Sequence, residues 1–316
     1  MNMKKLISIV TPTYNEEPNI EKLIIETGKV MSSLKSKYDY EHIVIDNKST
    51  DNTVKILRKI AKKNKNLKVI INSRNFGQIR SPFYAILQAK GEAVIAISSD
   101  FQDPVELIKD YIISWEKGSR VTLGQKIKTN ESFLMKYMKR FYYKLIHSIS
   151  NVKLPLYTTG SGLYDREIIE IFREINDPYP YHRGLVAEIE DEINFIQFEQ
   201  PKRLKGKTKN NFITLFDYAM LGIVKHSSVP LRIAIFLGFI SSFLSFISAL
   251  TYFFYKLIYW ESFTVGIGPI VIGMFAFFSI TTLLMGLIGE YILLILSYSK
   301  NLPLVVEKER INFESK

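Results

Sequence analysis

Side chains able to do chemistry gather in four short segments and one basic run. Thr11-Pro12-Thr13-Tyr14-Asn15-Glu16-Glu17, Asp46-Asn47-Lys48-Ser49-Thr50-Asp51, Arg74-Asn75-Phe76-Gly77-Gln78 and Ser98-Ser99-Asp100-Phe101-Gln102-Asp103-Pro104 each follow a short β-branched run. Further on, Arg203, Lys205, Lys207 and Lys209 surround Gly206. The chain carries 42 Lys and Arg against 31 Asp and Glu, a formal charge of +11. Such a balance favours phosphate-rich partners: nucleotides, nucleic acid or an anionic membrane face. Cysteine is absent, which removes a disulfide framework, a thiolate metal site and a cysteine nucleophile. Several of these residues also have plain structural readings. Asp51 suits a turn and cap, and Asp103, directly before a proline, suits the N-cap of a helix starting near Pro104. Tyr14 serves equally as a stacking ring or a core residue, and Arg74 as an ordinary surface arginine.

The elements that position these segments alternate. Leu6–Val10, His42–Asp46, Leu67–Ile71 and Ala93–Ile97 read as strands, and Asn19–Leu34, Asn52–Asn64, Ile79–Ala89 and Pro104–Glu116 as helices. Strand and helix at this rhythm predict an α/β fold with a mainly parallel sheet covered on both faces. Ligands then bind at the carboxyl ends of the strands, where the four polar segments lie. After Gly118 the rhythm changes. Ser132–Ile149 predicts a basic amphipathic helix, suited to lipid headgroups or to the domain's own core, and Asn211–Ser227 a second helix suited to lying on a membrane surface.

Ile233–Tyr255 and Ser262–Gly289 contain no charged side chain, and each is long enough to cross a hydrocarbon layer about 30 Å thick. Lys202, Arg203, Lys205, Lys207, Lys209, Lys225 and Arg232 precede the first stretch, and Lys300, Lys308 and Arg310 follow the second. The positive-inside rule puts both ends of this two-helix hairpin in the cytoplasm. Met1–Lys5 runs directly into a strand, so no signal peptide is visible.

The order of the four strand-end segments resembles glycosyltransferase family 2, and within it the polyisoprenyl-phosphate glycosyltransferases, the group of dolichol-phosphate mannose synthase and bactoprenol glucosyltransferases. Lys202–Lys209, Pro230-Leu231-Arg232 and Gly289-Glu290-Tyr291 extend the likeness over nearly the whole chain. The resemblance implies a cytoplasmic GT-A (Rossmann-like) domain over residues 1–210, a juxtamembrane amphipathic helix over 211–228, two transmembrane helices over 229–300 and a cytoplasmic tail over 301–316. It implies a multi-pass protein of the bacterial plasma membrane, a nucleotide-sugar donor, a polyisoprenyl (undecaprenyl) phosphate acceptor, inversion at the anomeric carbon and a homo-oligomer.

Residue roles follow from the same resemblance. Asp100 and Gln102 supply oxygens to Mg or Mn, which neutralises the departing diphosphate. Ser98 stands where the family usually has the first acid of its D-x-D motif, and Asn47 where many relatives have a second Asp. Pro12, Tyr14, Glu16, Asp46 and Arg74 line the nucleotide pocket. Arg203, Lys207 and Lys209 meet the lipid phosphate at the membrane surface and the donor phosphates as well. In Tyr157–Arg166, Asp165 and Arg166 are displaced from the family's usual acid and arginine, so acceptor or sugar selection is expected to differ there. His182 and Arg183 fall in a loop that borders the sugar pocket or is simply structural. Two other functions compete. A degenerate nucleotide-sugar-binding scaffold is suggested by Ser98 and Asn47. A polysaccharide synthase would carry a Gln-x-x-Arg-Trp motif, and Trp115 and Trp260 lie in other contexts. No nucleic-acid-binding motif accompanies the positive charge.

Overall fold

A computed structural model describes residues 4–128, 148–150, 152–201, 212–259, 267–300 and 302–314. The first half alternates as the sequence predicts: β1 (Lys5–Thr13), α1 (Ile20–Ser33), β2 (Tyr38–Asp46), α2 (Thr53–Lys63), β3 (Leu67–Asn72), α3 (Gly77–Leu87), β4 (Ala93–Ala96) and α4 (Leu107–Glu116). Then come β5 (Val121–Lys128), β6 (Thr158–Asp165), α5 (Arg166–Ile175), α6 (His182–Ile189), β7 (Ile193–Glu199), α7 (Phe212–His226), α8 (Val229–Ile258), α9 (Ile267–Ser299) and β8 (Glu307–Ile311).

The eight strands form one sheet in the order β7-β5-β6-β4-β1-β2-β3-β8. β1 pairs in parallel with β2 and β4, and β2 with β3. Such strands are buried on both sides, which explains their continuous Ile and Val runs. Alternation along each strand divides the core. Ile7, Ile9, Val44, Val69 and Ile95 face α1, α2 and α4. Val10, Ile43, Ile45, Ile70 and Val94 face α3, α5 and α6.

β6 is antiparallel to both β4 and β5, and β7 is parallel to β5. β5 and β7 therefore run in the same direction as β4, and their carboxyl ends lie on the same edge of the sheet. The chain leaves β7 at Glu199–Pro201 on that edge, directly before the basic run.

One local expectation changes, and two further segments take on strand structure. α4 starts at Leu107 with Glu106 at its N-cap position, so Asp103 is not the cap; Pro104–Glu106 instead form a tight turn, with Leu107 N donating to Pro104 O at 3.2 Å. Residues 157–166 hold a strand that starts on the carboxyl edge of β4 and ends, at Asp165, on the opposite edge. Thr158–Asp165 is a mid-sheet strand, and Gly162 lets it pass β5, because an added Cβ would lie 2.7 Å from Thr122 O. Within the expected C-terminal tail, β8 pairs antiparallel with the β3 edge. There Asn312 Nδ2 donates to Ala61 O at 2.7 Å, and Arg58 pairs with Glu309.

α7 and α8 meet at a bend of 72°. Ser227 Oγ at that bend donates to Ile149 O at 2.6 Å, and Tyr291 Oη of α9 donates to Ser227 O at 3.1 Å. Lys225 pairs with Asp177 and His226 with Glu188, which ties α7 to the sheet domain. Large apolar side chains on α8 and α9 face outward, with Phe236 65% and Leu283 72% exposed. Among the described residues Ile280–Ser299 is long and apolar enough to cross a membrane, and the bent pair Ala219–His226 with Val229–Ser241 passes the same test taken together.

Candidate active site at the carboxyl edge of the sheet

β1, β2, β3 and β4 deliver their polar segments to one edge. Thr13 and Asp46 are Cα partners across β1 and β2, and Asp46 pairs with Ile71 of β3. Val10 and Ala96 are partners across β1 and β4, and Ile97 N donates to Val10 O at 3.0 Å, which carries Ser98–Asp103 beside the end of β1. Asn15, Lys48 and Phe101, one in each of three loops, have φ values of 54°, 63° and 58°. Non-glycine residues rarely adopt that region, and where packing holds them there they tend to mark functional loops.

Asp46 is fully buried. Its Oδ1 accepts from Ser49 N at 2.9 Å, and Ser49 Oγ donates to Oδ2. Burial pushes its pKa up, opposed by the Ser49 hydrogen bonds. Ser49 Oγ also accepts from Asn15 N at 2.8 Å, and Asn15 Oδ1 accepts from Thr50 N at 2.7 Å, so the first two loops are laced together. Asp51 has the turn role its position suggests, its Oδ1 accepting from Thr53 N at 3.0 Å. Pro12 and Tyr14 are half-buried at this edge, and Tyr14 belongs to neither core cluster. Glu16 is buried and its Oε2 accepts from Asn19 Nδ2 at 2.7 Å, so in this arrangement its carboxylate braces the loop.

Arg74 is exposed, its guanidinium stacked 4.6 Å from the centroid of the Phe76 ring. Asp100 is 7% exposed, and its Oδ1 accepts from Gln102 N at 3.2 Å. Ser98 Oγ is buried without a hydrogen-bond partner among the described residues. Among the described residues no three Asp, Glu, His or Cys side chains converge there as a ready cation cage. What the loop offers is hard oxygen: the Asp100 carboxylate, the Gln102 amide and an unsatisfied hydroxyl. That set fits Mg or Mn when phosphate and water complete the shell.

The sequence-derived residues do not all converge. Pro12, Tyr14, Glu16, Asp46, Arg74, Asp100 and Gln102 share the edge. Arg203, Lys207 and Lys209 lie outside the described residues. Asp165 and Arg166 sit at the opposite edge, where Asp165 caps α5 through Glu167 N at 2.9 Å and Arg166 donates to Ala89 O at 2.8 Å. His182 opens α6 and packs among Phe83, Tyr164 and Phe172, at 5.0 Å from the Tyr164 ring; burial lowers its pKa to about 4, which makes it a neutral core histidine. Asn47 is the residue whose role sequence reasoning missed, since its identity reads there only as a departure from pattern.

A mainly parallel sheet that presents acid, amide and arginine side chains at its carboxyl edge, extended by β5–β7 on one flank, defines a glycosyltransferase of the GT-A type. The profile described as glycosyl transferase family 2 matches residues 8–172, and the chain belongs to that family. It is 29% identical over 310 residues to the uncharacterized glycosyltransferase YkcC of Bacillus subtilis, covering 98% of this chain and 95% of that protein. It is 30% identical to the putative glycosyltransferase CsbB of the same organism, covering 96% and 92%. Identity to the prophage bactoprenol glucosyl transferase homolog of Escherichia coli is 28%, covering 74% and 75%.

Proposed function

We propose that this glycosyltransferase moves a hexose from a nucleotide sugar, UDP-linked, to undecaprenyl phosphate at the cytoplasmic face of the membrane, for cell-envelope polysaccharide or lipid modification. One observation carries the reading. The edge that holds Asp46 and Asp100 is also the edge where the chain leaves β7 toward the basic run and two helices with exposed apolar flanks. Similarity to the bactoprenol glucosyl transferase homolog supports the same acceptor class.

In this reading Asp46, Pro12, Tyr14 and Arg74 hold the nucleotide, and Asp100 with Gln102 holds a divalent cation. When bound, that cation supplies charge neutralisation to the diphosphate. Arg203, Lys207 and Lys209 hold the lipid phosphate behind the anomeric carbon. A phosphate oxygen attacks that carbon, the bond to the nucleoside diphosphate breaks with its electron pair, and the configuration inverts. A phosphomonoester with a second pKa of about 6 is already an anion near neutral pH, so the chain needs no general base.

α8 and α9 form the membrane hairpin. The chain enters them from a helix tied to the sheet domain and returns to that sheet as β8, so any crossings between those points are even in number. Their outward apolar side chains call for lipid rather than water.

The test incubates the purified full chain in nanodiscs with Mg or Mn, undecaprenyl phosphate and a panel of UDP- and GDP-sugars. Metal-dependent glycolipid is expected, falling about 100-fold or more in Asp100→Ala. Nucleotide binding without turnover across the panel would make the chain a scaffold and overturn the proposal.

A further inference from the structure

The sequence presents Asn47 as a missing carboxylate. The structure gives it work that only a carboxamide does. Asn47 is 7% exposed, and all four hydrogen-bonding positions of its side chain are filled. Oδ1 accepts from Phe76 N at 2.8 Å and from Asn72 Nδ2 at 3.0 Å. Nδ2 donates to Asn75 Oδ1 at 2.9 Å and to Gly77 O at 3.1 Å. Two backbone groups fix this orientation, because an N–H only donates and a carbonyl only accepts. Asn75 is pinned in turn, its Oδ1 also accepting from Gly77 N at 2.8 Å. The network reaches α3 through Asn72 Nδ2 to Ser81 Oγ at 3.0 Å, and β1 through Asn47 N to Thr13 O at 2.9 Å.

This node joins the ends of β1, β2 and β3 to one loop, and the loop carries Arg74. The Arg74 guanidinium rests on Phe76, the residue whose N–H Asn47 holds. Arg74 has no carboxylate partner among the described residues, so stacking, not ion pairing, sets its position. We propose that Asn47 is a positioning residue for the donor: through Asn75, Phe76 and Gly77 it holds the loop that carries Arg74 at the sheet edge where Asp46 lies. This rests on the reading that Arg74 and Asp46 contact the nucleotide. An aspartate at this position would face two acceptors, Asn75 Oδ1 and Gly77 O, and would add a second negative charge next to buried Asp46.

Calorimetric titration of the full chain with UDP in the presence of Mn tests this, using Asn47→Asp, Arg74→Ala and the double variant. Loss of two hydrogen bonds predicts affinity about tenfold weaker in Asn47→Asp. Because Asn47 acts through Arg74, the double variant should bind no worse than Arg74→Ala alone, which a general structural defect would not produce. Hydrogen exchange gives a readout free of ligand: the Phe76 and Gly77 amides should exchange faster in Asn47→Asp while the β3 amides keep their protection. Equal UDP affinity in wild type and Asn47→Asp, or penalties that simply add, would overturn the positioning role and leave the donor reading intact. Failure of the wild type to bind either UDP or GDP would overturn the donor reading and, with it, this role.

Discussion

Ser98 and Asp100 mark the residue-level trade at the proposed cation site. The serine hydroxyl is neutral, buried and unsatisfied, so the site carries less negative charge than an acid pair would, at lower cost to the cation-free protein. Ser98→Asp should lower the Mn concentration giving half-maximal activity by about tenfold, since added ligand charge tightens such sites. It should also lower the thermal midpoint without metal, because two neighbouring carboxylates repel. An unchanged Mn requirement would put the cation elsewhere. His42 sets a second test. It is buried against Thr11 Oγ1 at 3.0 Å, and burial lowers its pKa to about 3. Between that value and 6.5 the unfolded imidazole binds a proton that the folded one refuses. Stability is therefore complete above pH 6.5 and is lost as pH falls, by up to about 1.4 kcal/mol per unit for this group. His182, lowered to about 4, adds in the same direction. The thermal midpoint should drop from pH 7 to pH 5, and His42→Gln should flatten that slope.

Among elements, α6 and α7 pack closely at Gly184. Gly184 lies against the His226 imidazole so closely that an added Cβ would stand 2.0 Å from Nε2. The ring is held from its other side by Glu188 at 2.8 Å and cannot retreat without breaking that bond. Gly184→Ala should lower the thermal midpoint by several degrees, as overpacking costs about 1–3 kcal/mol; a wild-type midpoint would mean that the seam yields freely. What the sequence revealed of the elements follows their chemistry. β1 to β4 are legible because strands buried on both sides must be apolar throughout. β8, Glu-Lys-Glu-Arg-Ile, is not, since an edge strand carries charge and leaves no hydrophobic run. β6 is not marked as a strand by its sequence, because Gly162 answers to the approach of β5, a contact invisible along the chain. The candidate site reads from the sequence at Asp46 and Asp100, each of which follows the apolar run of its own strand. It was not legible at Asn47, whose meaning lies in four partners drawn from other segments.

At the scale of the whole molecule, the chain enters α8 from a helix tied to the sheet domain and returns after α9 to that sheet as β8, as the proposed hairpin requires. The absence of cysteine makes topology simple to map. Lys4→Cys and Lys308→Cys in intact cells should resist a membrane-impermeant maleimide, while Tyr259→Cys, between the two helices, should react. Labelling of Lys308→Cys from outside would refute the hairpin.

The pairing of β8 with β3 also dictates an order of manufacture. The open flank of β3 is synthesised early, and its partner emerges from the ribosome only after both apolar helices. Under the proposed membrane topology the nascent catalytic layer must wait with a raw edge while the helices insert, so a chain arrested before the last helix is delivered would have no strand with which to finish its sheet. Completion of the sheet would then report that the proposed anchor has been made.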